Sequence, residues 1–174
     1  MSPVLAAMAH HEAGHAVASV ILGLPFPAIT IKGGVEGRDA ATWLPPAVER
    51  ARLDAHASRA WRAEMQDYLT RLLAGDQAEA RWRLRRSRRL EWRSDRTLAC
   101  DLALAIASSP EEASALVVWL TLRARNLAAK PDVWPGVATV ATTLLEREAL
   151  LAADVQAIFA QAVGPVALER LAAH

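Results

Sequence analysis

A single cysteine, Cys100, stands among the 174 residues, so an internal disulfide framework is excluded. In its apolar helical run Cys100 reads as a buried, reduced thiol, which fits a reducing, cytoplasmic compartment. Aromatic residues are also scarce, at 5% against 53% hydrophobic overall, and an Ala- and Leu-dominated apolar fraction favours packed helices over a sheet sandwich. Net charge is nearly absent at +1, leaving no overall field to steer the protein to nucleic acid or an anionic membrane. No basic leader precedes the apolar N-terminal stretch, and the histidines and glutamate in its middle would be costly in lipid, so no membrane anchor or signal peptide is expected. The length suits one domain, 1–174, able to bury a core without disulfides or metal staples.

Within that N-terminal stretch stands His11-Glu12-Ala13-Gly14-His15. On a helix, positions i and i+4 share a face, so both imidazoles reach one cation, while Glu12, about 100° further round, reaches a water beside it. This is the layout of a zinc hydrolase: the ion acidifies water and polarises a carbonyl, and the carboxylate takes the proton. Ser2-Pro3 gives the helix a start and Gly23-Leu24-Pro25 a stop, placing the zinc helix at about 3–22.

Beyond it, Ala28-Ile29-Thr30-Ile31-Lys32 and Ala40-Ala41-Thr42-Trp43-Leu44 read as two short strands around a Gly-containing turn, a β-ribbon over about 28–44. Its edge at Ala40, Ala41, Thr42, Trp43 and Leu44 offers a place for an extended peptide to add as a strand, or a cap over the core. The remainder, 47–173, reads as helical. Trp61, Met65, Tyr68, Leu69, Leu72 and Leu73 form an apolar face up to Gly75, which interrupts the pattern; a further segment runs on through Glu79. Ser94 is a candidate N-cap with Asp95 in the first turn, Ser109-Pro110-Glu111-Glu112 starts another helix, and Val137–Leu151, Asp154–Val163 and a short segment after Gly164-Pro165 follow.

Two histidines make a weak site, so a third donor is required from elsewhere in the chain. Asp95, Asp101, Glu79, His10 and His56 are candidates; His10 points off the shared face, and His56 and His174 read as solvated. Asp95 is attractive in itself, because a first-turn position of a helix keeps a carboxylate ionised.

The motif His11-Glu12-Ala13-Gly14-His15-Ala16-Val17 resembles that of the FtsH-type zinc peptidases, the M41 family, and three more stretches fall in that family's order. Ala41-Thr42-Trp43-Leu44-Pro45 is similar to its strand ending in Leu-Pro, Leu72-Leu73-Ala74-Gly75-Asp76-Gln77-Ala78-Glu79 to its Leu-Leu-Gly-Gly-Arg-Ala-Ala-Glu segment, and Leu144-Leu145-Glu146-Arg147-Glu148-Ala149-Leu150 to its Leu-Leu-Glu-Arg-Glu-Thr-Leu helix. The resemblance covers nearly the whole chain. It implies a mostly α, FtsH-peptidase-like fold, and carries the third zinc ligand to Asp95 through Ser94-Asp95-Arg96-Thr97-Leu98-Ala99-Cys100, with Asp101 as fallback. Glu79 is then a candidate to accept the remaining N–H of a ligating histidine.

Two departures stand out. The family's ATPase module and membrane anchor are not in this sequence, so the expectation is action on peptides or loose segments, or alongside a separate ATPase, with the implied ring or other homo-oligomer unspecified. Between Arg81 and Arg93 there are seven arginines and two tryptophans, where the family has a Gly- and Thr-bearing loop. Interleaved Arg and Trp can bind phosphate and stack on bases, but a solvated amphipathic helix with Trp82, Leu84, Leu90 and Trp92 partly buried is the favoured reading. The expected function is a zinc-dependent endopeptidase acting on peptide or unfolded protein, with His11, His15 and Asp95 on Zn2+ and Glu12 as the base. The alternatives are a peptidase-like adaptor with restricted cleavage and, behind it, nucleic-acid binding through 81–93.

Overall fold

Pro3 opens the first helix, where its missing N–H costs nothing, and Gly23 closes it in the left-handed region (φ 67°), letting the Leu24 N–H return to the Ser19 carbonyl at 2.9 Å. This helix, α1 (Pro3–Leu22), belongs to a computed structural model that describes residues 2–32, 59–83 and 93–172. After it come β1 (Ala28–Thr30), α2 (Arg59–Arg83), α3 (Arg93–Ile106), α4 (Pro110–Ala129), α5 (Trp134–Arg147), β2 (Ala149–Leu151), α6 (Ala152–Val163) and α7 (Pro165–Ala172). Helix makes up 83% of the described residues, so the class is mostly α, with one small antiparallel sheet. No helix among the described residues is long and apolar enough to cross a membrane.

Built mostly of small and apolar residues, α1 is buried on nearly every side from Ala6 to Ser19, as a helix must be when neighbours cover more than one face. One side packs Met8, Ala9, Ala13, Ala16 and Val17 into a core with Val137, Val140 and Leu144 of α5, Val155 and Phe159 of α6, and Ile29 and Leu150 of the sheet. The other side lies against α2, whose Met65, Tyr68, Leu69, Leu72 and Leu73 form a second core with Ala99 and Leu102 of α3 and Leu120 and Ala124 of α4. The apolar face expected on 61–73 is therefore present. Ser109 caps α4 as its sequence implies, accepting from the Glu112 N–H at 3.2 Å.

Three expectations need correction. Gly75 does not break a helix; α2 runs through it. Glycine lowers helix propensity, but here it lets two helices touch: a Cβ on Gly14 would meet the Ala78 Cβ at 2.6 Å and the Ala74 carbonyl at 2.7 Å, and one on Gly75 would meet the His15 ring at 2.5 Å. Ser94 lies inside α3 rather than ahead of it. The helix expected over Val137–Leu151 stops at Arg147, where Glu148 adopts φ 63°, and its last residues become β2. Strand pairing wins because it buries Leu150 opposite Ile29 and gives the Glu148 carbonyl to the Ile31 N–H and the Thr30 hydroxyl, both at 3.0 Å. The partner of β1 among the described residues is thus β2; the expected partner at 40–44 lies outside them, as do 84–92 of the arginine run and His56.

Gly14→Ala tests the close approach. In a tolerant helix this change stabilises by up to about 1 kcal/mol; between α1 and α2 it overpacks, and thermal or urea unfolding should register a loss of about 1–3 kcal/mol.

Candidate metal centre

One turn of α1 separates His11 from His15, so their side chains project from the same face, with ring centroids 4.5 Å apart and planes near perpendicular. Asp95 enters from the first turn of α3, and all three side chains are buried. Asp95 Oδ2 lies 2.9 Å from His11 Nε2 and 3.1 Å from His15 Nε2, and the two Nε2 atoms are 3.0 Å apart. Gly75 floors the site, its missing side chain leaving the space the His15 and His11 rings occupy. The sequence-expected trio is therefore brought together as the only group of metal-ligating side chains of this kind among the described residues.

The second nitrogen of each ring decides what the first can do. His15 Nδ1 donates to the Arg71 carbonyl at 2.9 Å, so a neutral His15 turns an Nε2 lone pair inward. His11 Nδ1 faces Glu79 Oε2 at 3.6 Å and Asp76 Oδ1 at 3.7 Å, two carboxylates able to hold its N–H and turn its Nε2 lone pair inward as well. With Asp95 Oδ2, three electron pairs then meet in a dry interior. Such an arrangement repels itself unless something positive sits at its centre.

An ion bound at about 2.0–2.1 Å by tetrahedral donors sets them about 3.3 Å apart, a few tenths wider than the distances here. The donor set, two imidazoles and one carboxylate, could hold a metal ion, and three protein donors would leave a further position open. Without metal a proton takes that place: burial disfavours a charged His11, but the hydrogen bonds to Asp95 and Glu79 and the charges of Glu12 and Asp95 outweigh it and push the ring up to about 10. Burial likewise disfavours the Asp95 carboxylate, yet the charge of His15 and the bonds to both rings hold it well below the usual range.

The remaining expected residues fall as follows. Glu12 is half-buried beside His11, with its charge felt by His11 and by Arg71. Glu79 is buried, and its Oε1 pairs with Arg83 Nε at 2.6 Å. Asp101 is exposed and outside the cluster. His10 turns away, its Nδ1 donating to the Ala6 carbonyl at 2.7 Å and its ring stacking on Trp82 at 5.0 Å. Ala40 to Leu44 lie outside the described residues. At the start of the arginine run, Arg81 covers the Trp134 ring and donates to the Ala128 carbonyl, and Arg83 is taken by Glu79, so both serve the fold.

Sequence reasoning missed Asp76, Arg71 and the polar side of Tyr68. Arg71 passes for part of a solvated face, but it is 4% exposed. Its signal is positional: Arg71 precedes Gly75 by four residues and Tyr68 precedes it by seven, so the three share the stripe of α2 turned toward the imidazoles.

Metal binding at this group would have to expel the proton on His11. Calorimetry of zinc binding near pH 7, in two buffers of different ionisation enthalpy, should count about one proton released, with affinity falling as pH falls. The sign for stability runs the other way in the metal-free protein: a raised histidine stabilises fully below its ordinary 6.5 and loses that contribution as pH climbs through about 10. Metal-free chain should therefore melt progressively lower from neutral pH toward 10. Gly75→Ala should weaken zinc binding by displacing the rings, read by competition with a chromogenic chelator.

Compared with models of known protein families and with curated proteins, the chain matches none.

Proposed function

We propose that the chain is a zinc-dependent peptidase, hydrolysing peptide bonds in peptides or loosely folded segments. The observation that carries this reading is the meeting of His11 Nε2, His15 Nε2 and Asp95 Oδ2 within 3.1 Å of one another, beside a glutamate one residue from the first histidine. These three side chains would hold the ion, which when bound supplies Lewis acidity toward water and a carbonyl.

Glu12 does the proton work. Its place about 100° round α1 from His11 and its partial exposure support that role. It takes a proton from the attacking water while the water oxygen bonds to the carbonyl carbon and the C=O pair moves onto the carbonyl oxygen. When that pair returns, the C–N bond breaks and Glu12 delivers the proton to the leaving nitrogen. Glu79 and Asp76 on one ring, and the Arg71 carbonyl on the other, orient the imidazoles so that neither turns its N–H inward. The order of motifs along the chain, which resembles that of the FtsH-type peptidases, supports the same reading, and an intact Glu12 favours an active enzyme over an adaptor that has lost cleavage.

A quenched peptide library or casein, incubated with zinc-loaded protein, should be cleaved, and chelator should abolish the activity. Glu12→Gln should retain zinc and lose at least about 100-fold in turnover. Asp95→Ala should lose the metal itself by elemental analysis. Cleavage that persists in Glu12→Gln, or in chelator, overturns the mechanism.

A further inference from the structure

One turn from the imidazoles lies a buried cation with unmet donors. Arg71 Nε and Nη1 are out of contact with water and find no acceptor among the described residues, and the same holds for the Tyr68 hydroxyl. The guanidinium lies 5.5 Å from the Tyr68 ring centroid, consistent with a helical side chain leaning back toward the preceding turn. A buried guanidinium remains charged, and each unmet donor in a dry interior is destabilising. Glu12 and Asp95 act on this cation through space, but neither forms an ion pair with it. Burial raises the Tyr68 hydroxyl above its ordinary range, so it stays a donor.

What is absent is an acceptor, and its chemistry follows from the donors. A fork of N–H groups and a phenol, all donors, fit an oxygen bearing negative charge. The proton-transfer step above generates such an oxygen at the scissile carbonyl, and a peptide with a free C-terminus carries another at its end.

We propose that Arg71 and Tyr68 form a receptor for an anionic substrate oxygen beside the metal centre. This rests on the peptidase reading for its kinetic consequence, but not for binding. Arg71→Met keeps the volume and removes the charge; Tyr68→Phe removes one oxygen. A buried charge without a contacting partner is often replaced by an apolar residue at no loss of stability, so zinc-loaded Arg71→Met should melt at or above the wild-type temperature.

Each variant is then assayed on one quenched peptide prepared with a C-terminal carboxylate and with a C-terminal amide. A fall of about 100-fold in kcat on both forms assigns the receptor to the carbonyl oxygen. A rise in KM confined to the free acid assigns it to the terminal carboxylate. Tyr68→Phe should move the same parameter by less. Independently, acetate against chloride at equal ionic strength should raise the wild-type melting temperature and leave Arg71→Met unmoved. Turnover of both peptides within threefold of wild type, an acetate shift that survives Arg71→Met, or an Arg71→Met chain that does not fold overturns the receptor. If the wild-type chain with zinc cleaves neither peptide, the peptidase reading fails, and the acetate shift alone decides the receptor.

Discussion

Three electron pairs converge on one point inside a dry protein, and most of the surrounding structure answers that constraint. His11, His15 and Asp95 bring donor atoms within 3.1 Å of one another while almost wholly removed from water. A hydrogen-bonded trio of this kind is stable only with positive charge between its members, whether one proton or one metal ion. The charge inventory points the same way. Four carboxylates, Glu12, Asp76, Glu79 and Asp95, face two guanidiniums, Arg71 and Arg83, leaving the region two negative charges in excess. A proton on His11 removes half of that excess; a divalent cation removes it all.

The constraint reaches into the backbone through two glycines. Gly14 and Gly75 let α1 and α2 lie close enough that α2 floors the imidazoles and lends the Arg71 carbonyl to His15. Either glycine alone would weaken its helix. Together they replace side-chain packing with direct helix contact, and the same contact sets Glu79 and Asp76 against the outer nitrogen of His11. The two cores on either side of α1 back this arrangement, so that the inward-facing nitrogens of His11 and His15 rest on packed helices.

How much of this was legible in the sequence depends on the range of the interaction. The helix that carries the two histidines is local: Pro3 starts it, Gly23 stops it, and His11 and His15 are one turn apart by periodicity alone. Asp95 is 80 residues or more from either ring, so no spacing rule reaches it, and only its first-turn position and the family resemblance single it out. Gly75 misleads because propensity scores the helix as isolated, whereas the contact with α1 overrides it. The residues Ala149–Leu151 mislead similarly: helical in pattern, they become a strand because Ile29 needs a partner 121 positions away, at Leu150. Arg71 is hidden by its chemistry, since an arginine on a helix next to apolar neighbours ordinarily reaches water.

The position of Arg71 ties the receptor to the state of the centre. Its compensation in the metal-free protein comes from the charges of Glu12 and Asp95 acting across space. A divalent ion held among His11, His15 and Asp95 would draw on Asp95, weakening part of the field that steadies the guanidinium. With such an ion in place the buried cation would be left shorter of negative charge. On the receptor proposal, an anionic oxygen that reaches the donors of Arg71 and Tyr68 would restore that balance. On this account the unmet donors are not a flaw in the interior. They would be the counterpart of the same excess of negative charge at the His11, His15 and Asp95 cluster, displaced by one helical turn along α2.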